Sequence, residues 1–311
     1  MNKRILLEFK CFVIIKEDGS DLMNNDLITY KCNDCKSEFS SYKSKRMDTC
    51  IYCAGKSINL VKNADYENAF VIPFTIEEEL VKKNYKKKTF WNPLIPFKFK
   101  GKKAKEKVGK VYYPCYLIDA NVRGTTSFSA ADKNKVLVGG RKLTELKKYN
   151  IKHDINLDYS DILINAFDKI TDKEFSKIFH YNFDNLKEYN ENNLKNIVIL
   201  NPNLEEKEVK EIALERLTNK SLSLVRNSVN HQLKKIDNNS INLEFDSIKL
   251  VLVPIYFLGL TYRKKTYKYI VNGTSNNVYY RFPIGILETI LFGIILFGIV
   301  FGISYYISSI L

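Results

Sequence analysis

Histidine is almost missing from this 311-residue chain, and its three copies stand far apart at His153, His180 and His231. They lie in polar helical context, and each is expected on the surface. Other chemical signatures are missing too. The sequence holds no G-x-x-x-x-G-K-S/T loop to cradle phosphates, no H-E-x-x-H helix and no G-x-S-x-G elbow. Acidic neighbours such as Glu205 and Glu206 read as charge at a helix start, not as an acid/base couple. No catalytic constellation emerges, and a non-enzymatic role is expected. A secretory leader is not found either. Met1-Asn2-Lys3-Arg4 runs into an apolar stretch, but Glu8 and Lys10 interrupt it before it could serve as a signal core. The bulk of the chain is therefore expected in the cytosol, where thiols stay reduced and paired cysteines are better explained by metal than by disulfides.

Acidic charge is the next shortage. Lys and Arg number 49 against 35 Asp and Glu, a formal charge of +14. Such an excess favours polyanionic partners, either nucleic acid or the anionic cytoplasmic face of a membrane. The abundance of Lys, Asn, Ile and Tyr also fits an AT-rich coding sequence, which would supply lysine with no binding role at all.

What is present begins with Cys32-Asn33-Asp34-Cys35 and Cys50-Ile51-Tyr52-Cys53, two C-x2-C pairs separated by fourteen residues. Each pair can occupy a tight knuckle that turns two thiolates toward one point, and two knuckles on facing hairpins complete a tetrahedral site. Four sulfurs close the first shell and leave no position for a reactive water, so the expected cofactor is structural Zn2+, contributing folding free energy to a small module. Cys11 and Cys115 lie in apolar β stretches and read as small core residues.

At the other end, residues 284 to 311 carry one charge, Glu288, over 28 residues. As a helix they would reach about 42 Å, against a hydrocarbon core of about 30 Å. A single C-terminal transmembrane helix follows. Arg263, Lys264, Lys265, Lys268 and Arg281 precede it and no basic residue follows, so the soluble part is expected in the cytoplasm and the anchor in the plasma membrane. Tyr305 and Tyr306 would lie toward the far interface. Gly298 and Gly302 form a G-x-x-x-G face that could admit another helix. Glu288, one turn inside, is expected to stay hydrated among headgroups.

Between the ends, the chain divides into an N-terminal β extension over 1–30, the ribbon over 31–56, a first β unit with a basic helix over 66–140, a helical region over 141–240, a second β-hairpin unit over 241–282 and the membrane helix over 283–311. Thr75 and Glu78 have capping-box spacing for a helix from Ile76 to about Tyr85. Residues 159–167, 173–179 and 205–234 read as helices, the last with Val209, Ile212, Ala213 and Leu217 on one face. Asp237 to Ser240 reads as a loop. Val111 to Leu117 and Val251 to Phe257 share the order β-β-Pro-x-Tyr-apolar, as two related strand-hairpin units would, although so short a match also arises by chance. A proline in each argues for an edge or a bulge. Asn272-Gly273 is a hairpin turn signal.

Lys82, Lys83, Lys86, Lys87 and Lys88 run into Phe90 and Trp91, and Lys102 and Lys103 sit in a second basic run that alternates with Phe97 and Phe99. Cations beside rings can grip phosphate and stack on bases, can lie on anionic lipid, or can form an ordinary solvated surface.

With these residues in view, the chain resembles a family of zinc-ribbon membrane proteins of Gram-positive bacteria, often labelled primosomal-protein-N'-like or TFIIB-type zinc-ribbon. The resemblance rests on the four cysteines, Val71-Ile72-Pro73-Phe74, Phe90-Trp91-Asn92-Pro93, Gly109 to Leu117, Tyr181 to Leu186 and Val253-Pro254-Ile255-Tyr256 leading to Asn272-Gly273. It covers about residue 31 to the end. The residues themselves read as an α+β protein with an N-terminal rubredoxin-like zinc ribbon, a mixed β-hairpin and helical cytosolic region with the two strand-hairpin units that share a residue order, and one membrane helix, and what the resemblance adds concerns partners. Its partners would be other membrane or membrane-associated proteins in membrane-stress or membrane-organising assemblies. The helicase flavour of the label finds no support, since the phosphate loop is missing.

Overall fold

The two segments that share the β-β-Pro-x-Tyr order pair with each other. In the structure, a computed structural model describing residues 27–62, 66, 68–100, 107–139, 141–190, 197–263 and 265–310, they lie in the antiparallel strands β5 (Gly109–Val138) and β9 (Leu233–Tyr262). Tyr112 faces Pro254 and Pro114 faces Leu252, a register symmetric about the pair Tyr113 and Val253. The side chains here are buried, as two-faced cover requires: Val111, Tyr113, Cys115, Val251, Val253 and Ile255 are all fully enclosed.

Neither proline is at an edge, against the expectation from sequence. Each sits where its strand changes neighbour. On β5 the partner up to Tyr112 is the parallel strand β8 (Val198–Leu200), and from Cys115 it is the antiparallel β6 (Arg141–Asn165). On β9, β4 (Phe70–Val71) pairs with Val251 and Leu252, and β10 (Lys265–Asn272) takes over at Ile255. The missing N–H of each proline falls in the gap, while Pro114 and Pro254 carbonyls accept from Ala166 N and Gly273 N.

Among the described residues eleven strands join one sheet around this spine. From β5 it continues through β8 to β2 (Glu38–Tyr42), β1 (Leu27–Cys32) and β3 (Ile58–Val61); from β9 it continues to β10 and β11 (Val278–Tyr280). A short strand β7 (Lys187–Glu188) pairs with β4. The β10–β11 hairpin forms at the expected Asn272-Gly273 signal, with Val271 opposite Val278. Among the described residues five helices complete an α+β fold: α1 (Glu78–Phe90), α2 (Phe97–Lys100), α3 (Asp172–Ile178), α4 (Glu206–Ser228) and α5 (Ile286–Ile310).

Much of the region 141–240 is strand where helix was expected. Residues 159–165 belong to β6, and 233–240 to β9, including the Asp237 to Ser240 stretch read as a loop. The reason is visible in the spacing of Ile151, Ile155, Leu157 and Tyr159, which keeps to even steps and so lines one face of a strand. The other face is solvated and polar, which blurs the pattern. Beyond the spine, β6, β5 and β9 thus form a three-stranded blade. Its apolar face, with Ile118, Ala120, Val122 and Phe128, is covered by Val209, Ala213, Leu217 and Val225 of α4. That helix fulfils the expected apolar stripe but stops at Ser228, short of 234. Two of the three strand slips are absorbed at Asp119, whose carboxylate accepts from Asp161 N at 2.9 Å and Ser247 Oγ at 2.7 Å; the third falls between Ser127 and Phe128.

Helix α1 begins at Glu78 with Glu77 as N-cap, not through a Thr75 box. Thr75 donates its N–H to Gly273 O, so it belongs to the contact with the β10–β11 turn. Helix α5 is exposed along most of its length, Glu288 in its first turn excepted, with mean hydropathy 2.5 in its most apolar window, and is long and apolar enough to cross a membrane.

The blade depends on one close approach. Gly124 has φ +153°, and a Cβ there would stand 2.0 Å from Ser240 O on the paired strand. Gly124→Ala is expected to lower stability by about 1–3 kcal/mol, read as a fall in the thermal midpoint; an unchanged midpoint would contradict the β5–β9 register in the blade.

Candidate metal centre

Cys32 ends β1 and Cys35 follows three residues later; Cys50 and Cys53 flank the second turn. The two turns repeat one backbone design. Cys32 O accepts from Lys36 N and Cys32 N donates to Ser37 O; Cys50 O accepts from Ala54 N and Cys50 N donates to Gly55 O. Lys36 and Ala54 both hold positive φ, 62° and 59°, the left-handed step that turns each chain back beneath its sulfurs. These two residues were not singled out from sequence, because neither is the glycine that usually signals that conformation.

The four sulfurs lie within 4.8 Å of one another. Cys32 Sγ and Cys53 Sγ are 3.7 Å apart, and Cys35 Sγ and Cys50 Sγ 3.6 Å. A tetrahedron with metal–sulfur bonds of about 2.3 Å has edges of about 3.8 Å, so the cluster fits a four-thiolate cation site. Gly55 N donates to Cys53 Sγ at 3.3 Å, and the Ser37 hydroxyl stands 3.3 Å from Cys35 Sγ, so outer donors are in place for thiolates.

Protonation supports the same reading. The hydrogen bond with Cys50 holds the Cys35 thiol down at about 4 and pushes Cys50 far above the usual thiol range, while burial pushes Cys53 up to about 12. Among the described residues no histidine or carboxylate joins the group. Cys115 is fully buried in the core, where burial raises its thiol, as its apolar context implied; Cys11 lies outside the described residues.

The cysteine turns are fused to the sheet. On one side β2 pairs with β8, and Ser40 and Tyr66 hydroxyls both donate to Asn201 Oδ1 beside that seam. On the other, the second turn rests on β9. Tyr52 stacks on Phe257 with centroids 5.7 Å apart, its hydroxyl donates to Lys169 O, and Thr261 Oγ1 donates to Cys53 O. Gly259 permits this approach, since a Cβ there would meet Tyr52 O at 1.9 Å. Tyr52, Gly259 and Thr261 were missed in sequence because nothing local links residues so far apart.

The basic residues are not one patch. Lys82 is largely covered and pairs with Glu78 at 2.6 Å. Lys83, Lys86 and Lys87 are exposed along α1, while Lys88 lies over the Tyr280 ring at 4.7 Å. Trp91 is 75% exposed just past the helix end. Lys102 and Lys103 lie outside the described residues. Gly298 and Gly302 share one open face of α5, where a Cβ added at either would meet nothing beyond the helix itself within 4 Å. Glu288 departs from the hydrated state expected of it: it is buried and accepts a hydrogen bond from Phe97 N at 2.9 Å.

One divalent cation per chain is expected to bind with release of thiol protons, so that affinity falls as pH falls. Cobalt titrated into metal-free, reduced protein should give a tetrathiolate absorption spectrum, and Cys35→Ser should weaken and alter it; cobalt binding without thiolate charge-transfer bands would contradict the assignment.

No family model matches the chain, and no solved structure matches it. A relative is found in Bacillus subtilis (strain 168), a protein described as "Uncharacterized protein YdjG", 23% identical over 222 residues. The match covers 70% of this chain and 64% of the relative, so it spans less than two thirds of that protein's length.

Proposed function

We propose that this chain is a non-catalytic interaction protein of the plasma membrane, anchored by α5 as a single pass with its soluble part in the cytoplasm. Cys32, Cys35, Cys50 and Cys53 would hold structural Zn2+ in a rubredoxin-like ribbon, and the ion would contribute folding free energy and no reactive position. The family resemblance and the basic residues ahead of α5 support this placement.

The observation that carries the interaction role is the free end of the β5–β6 hairpin. Leu137, Leu143 and Leu146 are 71, 50 and 46% exposed there, far from any core. They stand among Arg141, Lys142 and Lys147, and no strand pairs with the outer edge of β6 among the described residues. A projecting, apolar, open-edged hairpin is a contact surface for another protein, by side-chain burial or by strand addition. Partners would be membrane or membrane-associated proteins, in assemblies that organise or protect the bilayer.

Nucleic-acid binding is the second reading, favoured by the exposed Lys83, Lys86 and Lys87 on one helix. It is weaker, because Lys82 is occupied by Glu78 and the row leads to the first turn of α5, beside anionic lipid.

A photo-crosslinking residue placed at Leu143 in the full chain, expressed in its host membranes, should yield a discrete protein adduct that is lost when Leu137 and Leu146 are replaced by Asp. Absence of that adduct, together with tight and salt-steep binding of duplex DNA by the chain in nanodiscs, would replace the first reading by the second.

A further inference from the structure

The segment between α1 and α2 touches the start of α5. Gly285 N donates to Leu94 O at 2.9 Å, Phe97 N donates to Glu288 Oε1 at 2.9 Å, and a Cβ on Gly285 would meet Pro96 Cγ at 3.2 Å. Pro96 and Ile95 are buried, yet three large rings around them are not. Phe90, Trp91 and Phe97 are 67, 75 and 64% exposed, and Ile284, just before α5, is 67% exposed. Phe90 and Trp91 pack edge to face at 5.7 Å, so they form one apolar knob.

Cations surround that knob. Lys86 and Lys87 are exposed on the last turns of α1, and Lys100 lies over the Phe97 ring at 5.6 Å and donates to Pro93 O at 3.4 Å. Aromatic rings with a rim of lysines suit the headgroup boundary of an anionic leaflet. Their depth follows from the hydrogen bonds. Residues bonded to Gly285 and Glu288 cannot lie more than about one helical turn from the first turn of α5.

Resting on the reading of α5 as a membrane span, we infer that Phe90, Trp91 and Phe97 insert into the headgroup–acyl boundary of the leaflet that α5 enters, and that Glu288 is the positioning residue that locks this knob to the span. The carboxylate explains itself in this arrangement. It is the one charged residue of α5, it is 8% exposed, and it satisfies a backbone N–H that the bilayer boundary would otherwise leave without water. The soluble body would thereby hold a second contact with the bilayer and a fixed tilt.

Trp91 is the chain's single tryptophan, so its fluorescence reports this site alone. The full chain is reconstituted into phosphatidylcholine vesicles containing phosphatidylglycerol, and flotation after an alkaline carbonate wash first reports insertion of α5. Emission of Trp91 is then compared with that in detergent, with iodide as the aqueous quencher and lipids brominated near the headgroup as the membrane quencher. Expected are a blue shift, loss of iodide quenching and strong bromolipid quenching. Glu288→Ala should float equally well and unfold at the same temperature but lose bromolipid quenching, and Glu288→Gln, which keeps an acceptor for Phe97 N, should restore it. A floating chain whose Trp91 stays open to iodide overturns this inference alone; a chain that fails to float overturns the span and the inference together. Bromolipid quenching unchanged in Glu288→Ala would remove Glu288 from the account.

Discussion

The antiparallel pairing of β5 with β9 is the constraint on which the other parts hang. Both strands are covered on both faces where Val111–Cys115 meets Val251–Ile255, and every other described strand is attached through one of the two. The cysteine turns reach β5 by way of β8, β2 and β1. The path to α5 leaves from β9 by way of β10 and β11. Because Pro114 and Pro254 occupy matched positions, the strands exchange neighbours at the same level, and the sheet can be compact on one side of that level and a blade on the other.

The cysteine cluster and the long apolar helix are therefore joined through one sheet, not strung as beads. The second cysteine turn lies against Gly259 and Thr261, and β10, which pairs with that same stretch of β9, carries the chain on toward α5. A cation held by the four thiolates would tie the two cysteine turns together and stiffen this joint. Lys268 sits there too, donating to Lys169 O and Glu174 and lying over the Tyr52 ring at 5.3 Å. A half-buried lysine satisfied on several sides adds rigidity at a cost in desolvation.

Some of this was legible in the residues themselves. The two C-x2-C pairs predicted a four-sulfur cluster because short loops leave the thiols few directions to point. The apolar run around α5 needs no context either. Asn272-Gly273 marked a true hairpin, and α4 showed its buried face by helical spacing. The failures share a cause. Strand β6 and the far part of β9 have one polar, solvated face, and residues such as Asp237 to Ser240 carry turn chemistry that pairing with β5 overrides. Glu288 looked like a solvated charge because its partner, a backbone N–H, has no signature in sequence and lies 191 residues away. Tyr52 against Gly259 was hidden for the same reason.

The central claim is that a cation at the cysteines braces the whole joint and not only its own loops. Hydrogen exchange followed by mass spectrometry, on the full chain in nanodiscs with the metal bound and after chelation under reducing conditions, tests it directly. Chelation should speed exchange in residues 27–61 and also in 255–272, leaving the blade at 118–130 unchanged. Faster exchange confined to residues 32–55 would contradict it.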